Sequence, residues 1–270
     1  MRNGGLYLKR LVKSIQSQTN SHWEAVIVDD GSTDGTDEYL AELISLDPRF
    51  IVHSTFGIGR GRALNLAISK CRSDIIVNLD ADDLAHPNLV NSVVIGFTKW
   101  PEYTVIGGKN LLILDDAAPL WGDLGHGPNA IQDVGNSLAY RNPISHSGVS
   151  MRKDHVLEVG GYDYKRLGQY DYDLWTRLID NGHRIGLSDV CVAAKRSHVS
   201  QFFERKNHIK YAWGAANVQW RAIRILDSSR VKGLLNIGLR LCWAVLPNGF
   251  RMRTRLMIQW AFRNILNNSF

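Results

Sequence analysis

Two short apolar runs in the first third of the chain each end at a group of aspartates, and this feature narrows the fold more than any other. Residues 24–29 (Glu24-Ala-Val-Ile-Val-Asp29) are followed by Asp30, and residues 74–79 by Asp80, Asp82 and Asp83. A short apolar run bounded by polar residues reads as a strand covered on both faces, the habit of parallel sheets. Phe50-Ile-Val-His53 adds another such run. Between them the apolar residues recur at helical spacing: Leu8, Leu11, Val12 and Ile15; Tyr39, Leu40, Leu43 and Ile44; Ala63, Leu64, Ala67 and Ile68. After Pro87 the same spacing returns in Leu89, Val90, Val93, Val94 and Phe97. Strands alternating with amphipathic helices predict an α/β, Rossmann-like domain with a parallel sheet. Ligands of such sheets bind beyond the carboxyl ends of the strands, which is where these aspartates fall.

Further along, residues 103–114 predict two short strands, and residues 115–145, rich in Gly, Asp, Asn and Pro, a long loop or lid. Leu174, Trp175, Leu178 and Ile179 mark another helix, and the pattern beyond residue 200 is helical. The expected division is a catalytic domain over 1–200 and a basic helical extension over 201–270.

Of 270 residues, 44% are hydrophobic and 21% charged, a globular balance. The three cysteines, Cys71, Cys191 and Cys242, lack metal-ligand spacing and read as buried thiols in a reducing compartment. The opening Met1-Arg2-Asn3-Gly4-Gly5 is not an apolar leader. Charge is uneven. Residues 205–270 hold twelve Lys or Arg against one acid, Asp227, a net +11, which leaves −5 for the rest of a chain whose total is +6. An acidic body suits a cation, and a basic tail suits an anionic surface. With its body acidic, the chain is not expected to bind nucleic acid.

Carboxylates crowded at one sheet edge repel one another unless a cation lies between them. A diphosphate poses the same problem from the ligand's side. Mg²⁺ or Mn²⁺ answers both, because each takes oxygen ligands shared between one or two carboxylates and phosphate. Helix capping would account for one or two of these acids, but not for all seven in 29–37 and 80–83.

Four blocks carry a resemblance: Val28-Asp-Asp-Gly-Ser-Thr-Asp34, Asn78-Leu-Asp-Ala-Asp-Asp83, Gly160-Gly-Tyr-Asp163 and Tyr170-Asp-Tyr-Asp-Leu-Trp175. In this order and at these intervals they resemble the family 2 inverting glycosyltransferases of GT-A fold, over about residues 5–200. The resemblance implies a nucleotide diphosphate sugar donor, UDP-linked by default, and a glycan or lipid-linked acceptor. It also implies Mn²⁺ or Mg²⁺ as cofactor and a cytoplasmic location, with the inner face of the membrane as a peripheral site. By position it places Asp29 and Asp30 near base and ribose, Asp80 and Asp82 on metal and diphosphate, and Asp171 as the base that takes the acceptor proton. Tyr170 and Trp175 fall on the acceptor side. His198 falls near the metal or diphosphate, and His146 joins the substrate-binding set. For Asp171 the alternative is a helix N-terminal acid, and for the two histidines a surface or core role.

The chain departs from that family in three ways. Tyr170 stands where the family usually has Glu. Leu64-Asn65 stands where an Arg-Asn pair is common, so Arg60 or Arg62 is expected to supply the missing charge near the diphosphate. The sequence opens at the first helix, where the resemblance leads one to expect an apolar strand before it, between those matching residues 24–29 and 75–79. A misassigned start or a truncated product is the expectation, and an inactive nucleotide-sugar-binding or glycan-binding module is the alternative function. The tail has two readings: a membrane-interface segment, or a helical subdomain packed on the body and pairing its acids.

Overall fold

A computed structural model describes residues 1–114, 117–121, 127–197, 208–226 and 229–246. The first half alternates as expected: α1 (Gly5–Gln16), β1 (Ala25–Asp29), α2 (Thr36–Leu46), β2 (Phe50–Ser54), α3 (Arg60–Lys70), β3 (Ile75–Asn78), a two-residue β4 (Leu84–Ala85) and α4 (Leu89–Lys99). The cause is local at each boundary. Gly35, at φ 80°, turns the chain into α2, Asp34 accepts hydrogen bonds from the N–H and hydroxyl of Thr36, and Asp37 and Glu38 meet the positive end of the helix.

The second half is built around long strands. β5 (Tyr103–Leu114) is one strand of 12 residues where two short ones were expected. Its glycine pair does not break it. A Cβ on Gly107 would come within 2.5 Å of Ile144, and one on Gly108 within 2.4 Å of Val192, so these are points of close packing. The predicted loop after it contains β6 (Ile131–Asp133) and a 3-10 turn (Gly135–Ala139). Then come β7 (Val149–Arg152), α5 (Lys153–Glu158), α6 (Tyr170–Asp180), β8 (Arg184–Ser197), α7 (His208–Ile225) and α8 (Arg230–Val245).

The sheet is mixed rather than wholly parallel. Its order is β3-β7-β5-β8-β4, with β6 added on β8; β5 and β8 run parallel, and the other pairs are antiparallel. β1 and β2 form a separate parallel pair. Among the described residues nothing bridges β1 to β3. In their place stands Met1: its ammonium donates to the Val28 carbonyl at 2.7 Å, and its carbonyl accepts from the Asp30 N–H at 2.7 Å. The main core lies between the second sheet and α6, with Val105, Val149, Met151, Leu174, Trp175 and Ile185 fully enclosed. Val218 and Ala222 of α7 belong to that same core.

Candidate active site

The carboxylates expected at the strand ends do collect on one rim. Asp29 and Asp30 close β1 and are both buried. Asp29 accepts from the Ser32 hydroxyl and N–H. Asp30 accepts from the Thr55 hydroxyl (2.7 Å), the Ile58 N–H (2.7 Å) and the Gly59 N–H (2.8 Å). Burial alone would raise its pKa, but these hydrogen bonds prevail and the carboxyl sits below its ordinary range. Asp30 thus fixes the 55–59 loop, and with it the start of α3, which carries Arg60.

Arg60 reaches from α3 to the end of β3. Its Nη2 donates to Asp80 Oδ1 at 2.8 Å. His146 Nδ1 lies 3.2 Å from the same oxygen and 2.9 Å from Asn78 Nδ2. Burial pushes the Asp80 carboxyl up, but His146, then Arg60 and Lys195, bring it well below the usual carboxylate range. Lys195 on β8 had no part in the sequence expectations, and Asn78 stood in a motif without a role of its own. Arg62 is turned another way, stacked 4.3 Å over the Tyr164 ring.

Asp82 and Asp83 follow at the tip. Asp82 is half-buried, and its carbonyl accepts from Arg196 Nε. Asp83 is buried and accepts from the Arg196 N–H at 2.8 Å, so it is an anchor to β8. Burial first, then the charges of Asp82 and Asp80, raise its carboxyl to about 6 against the opposing hydrogen bonds of Arg196 and Ser147.

The second half of the site is delivered by the Gly160–Asp163 block and α6. Gly161, at φ 66°, leaves no room for a side chain beside Asn65 of α3. Asn65 accepts from the Tyr162 N–H (2.7 Å) and donates to its carbonyl (2.8 Å). So held, the buried Tyr162 places its hydroxyl 2.9 Å from His146 Nε2. Burial, then the charges of Asp171 and Asp80, push the phenol far above its usual range, so it stays protonated. Tyr162 therefore lies within the fields of both carboxylates. The charges of Asp80, Asp171 and Asp82 also act on Arg60.

Asp171 opens α6 just after Gln169, which takes the left-handed conformation at φ 57°. Its Oδ2 accepts from Asn142 Nδ2 at 2.7 Å, and its Oδ1 from the Tyr172 N–H at 2.8 Å. Tyr170 is half-buried against Gly61, in the field of Arg60. Trp175 corrects an expectation: at 0% exposure, inside the main core, it offers no surface to an acceptor. It lies on the inward face of α6 with Leu174 and Leu178, and packing is its role. His198 lies outside the described residues.

Among the described residues no group of three His, Cys, Asp or Glu could hold a metal ion. The side chains present are of a kind that suits a hard divalent ion: Asp80 and Asp82 carry carboxylate oxygens two residues apart, and such ions commonly complete their shell with phosphate oxygens and water.

Residues 1–150 match the family described as Glycosyl transferase family 2. Over 249 residues the chain is 24% identical to the amylovoran biosynthesis glycosyltransferase AmsE of Erwinia amylovora, covering 89% of each chain. Over 259 residues it is 26% identical to the Escherichia coli UDP-Gal:alpha-D-GlcNAc-diphosphoundecaprenol beta-1,3-galactosyltransferase, covering 93% of this chain and 90% of that one. Among solved structures, the mannosyltransferase PcManGT of Pyrobaculum calidifontis, in complex with GDP-Man and Mn²⁺, superposes with a TM-score of 0.63 at 18% identity. That likeness covers 97% of this chain and 72% of the other, and it shows a common fold.

Proposed function

The chain belongs to glycosyl transferase family 2 and has the GT-A fold, and on that premise we propose that it transfers a sugar from a nucleotide diphosphate sugar to a hydroxyl of a glycan or lipid-linked acceptor, with inversion. A UDP-sugar is the first donor to test; the E. coli relative is named for UDP-Gal and a diphosphoundecaprenol acceptor. The observation that carries the reading is the convergence of Asp80, Arg60, His146, Tyr162 and Asp171 from the end of β3, α3, the 140s loop, the Gly160–Asp163 block and α6.

In this reading the acceptor oxygen attacks the anomeric carbon from the face opposite the diphosphate. Asp171 takes the hydroxyl proton as the new C–O bond forms, and the bond electrons leave with the diphosphate. Asn142 keeps the carboxylate turned toward the acceptor, and Tyr170 flanks that side. Arg60 places positive charge beside the leaving group. Asp29 and the loop fixed by Asp30 line the nucleotide side. Asp82 and Asp80 would hold Mn²⁺ or Mg²⁺, which when bound neutralises the leaving diphosphate.

The test is nucleotide release from a panel of UDP-, GDP- and dTDP-sugars with Mn²⁺ or Mg²⁺. One donor class should turn over. Asp171→Asn should lower turnover by about 10²–10⁴ while donor affinity holds. Equal turnover in the variant would remove Asp171 from the chemistry. Among the described residues no strand pairs with the second side of β1 or of β3, and this favours a second reading, a nucleotide-sugar-binding module without turnover. In that case a donor would raise the melting temperature and no nucleotide would be released.

A further inference from the structure

α8 is apolar on the side it turns to solvent. Its inner side holds Gly233 and Ala244, both buried, the half-buried Ile237, and a polar seam in which Gln219 of α7 donates to Asn236 at 3.1 Å and to the Gly233 carbonyl. Its outer side is apolar: Val231, Leu234, Leu235, Leu239 and Val245 are 48–71% exposed. Their spacing puts them on one face of a helix with 3.6 residues per turn. A helix packed only on its own domain turns polar residues to solvent on that side. α7 repeats the motif on its exposed side, where Trp213 and Trp220 lie two turns apart and Ile209 one turn before them. Among the described residues the exposed charges next to these faces are of one sign: Lys210, Arg224, Arg230 and Lys232.

We propose that the outer faces of α7 and α8 form a docking surface for an anionic lipid bilayer. Leucines and valines enter the headgroup boundary, tryptophans settle at its level, and the lysines and arginines meet acidic lipid headgroups. Charge complementarity selects this occupant. Residues 205–270 carry a net +11 with a single acid, whereas a second copy of the chain would bring the same positive charge to the contact. The contact is interfacial, since no described helix is long and apolar enough to cross a membrane. The inference does not depend on the transfer chemistry, and its test reads lipid binding alone.

The experiment is co-sedimentation of the full chain with phosphatidylcholine vesicles, with and without phosphatidylglycerol. The chain should bind the anionic vesicles, bind the neutral ones less, and release with rising salt. The exposed-face variant Leu235→Gln/Leu239→Gln should bind about tenfold more weakly. Lys232→Glu should also weaken binding, and Leu46→Gln, an exposed apolar residue on α2, should leave it unchanged. Circular dichroism of each variant controls for folding. Vesicle binding that survives the Leu235/Leu239 change, or no binding to anionic vesicles, would overturn the proposal. So would a dimer in vesicle-free light scattering that the double variant dissolves, for that would make a second copy the occupant.

Discussion

Asp171 has both carboxylate oxygens engaged, one by Asn142 and one by the Tyr172 N–H. Such a carboxylate cannot rotate freely, and a base gains from being held in one orientation. Asn142→Ala should therefore lower kcat about 10- to 100-fold with little change in donor KM, as loss of positioning does. Asn142→Asp should move the acid limb of the rate–pH profile to higher pH, because a carboxylate beside another holds its proton more tightly. A variant with unchanged kcat and an unchanged profile would show that this contact is only structural. The carboxylates and Arg60 were legible in the sequence because they stand in compact motifs. Asn142, Asn65 and Tyr162 were not legible as a set. Their contacts join positions 29 and 97 residues apart, and no periodicity encodes such a pairing. Trp175 was misplaced for a readable reason: Leu174, Trp175 and Leu178 are the buried stripe of α6, and that signal outranks motif position.

At the scale of elements, the alternation of β1 makes a sharp prediction. The Ala25 N–H donates to Arg49, and the Asp29 carbonyl accepts from Thr55, so odd positions face β2. Val26 and Val28 must then face the other way, where, among the described residues, the backbone of Met1 alone bonds to the strand end. In hydrogen exchange the amides of Val26 and Val28 should exchange faster than those of Ala25 and Ile27. Even protection along the strand would mean that this edge is covered. The turn between α2 and β2 makes another. The Arg49 guanidinium holds the Asp47 carboxyl at about 2, with burial opposing and the Arg49 N–H and Gln16 assisting. Unfolded, the group titrates near 3.9, so folding favours its charged form. The gain is present above about pH 4 and is lost as pH falls through about 2. Asp47→Asn should cost about 1 kcal/mol at pH 7, a modest figure because the Arg49 side chain is partly exposed. In urea melts the gap from the parent should close as pH falls below 4. Elements set by local pattern, α1 through α4 and β1 through β3, were legible. β7, β8 and the antiparallel pairings were not, since a pairing partner is a property of the assembled sheet.

The whole molecule is closed by its C-terminal helices to different degrees. Asp173, on the helix that carries Asp171, is buried among three arginines: Arg177 at 2.9 Å and Arg166 and Arg221 at 3.3 Å. Arg221 comes from α7, which also sends Val218 and Ala222 into the main core and Gln219 to the Ala139 carbonyl. So α7 pairs an acid of the body, as one reading of the tail expected. α8 buries fully only Gly233 and Ala244, which contribute little apolar area. Chains ended at different points should separate the two roles. A chain ended at residue 200 loses the apolar cover of α6 and leaves Asp173 with one arginine fewer, and it should show no cooperative melt. A chain ended at residue 226 keeps both and should melt cooperatively, a few degrees below the parent. It should also turn over donor with a water-soluble acceptor while sedimenting less with anionic vesicles, since it keeps the outer face of α7 and loses that of α8. If the chain ended at residue 200 melted as sharply as the parent, the core drawn through α7 would be wrong. In that case the helix bearing Asp171 would owe its position to the strands beneath it alone.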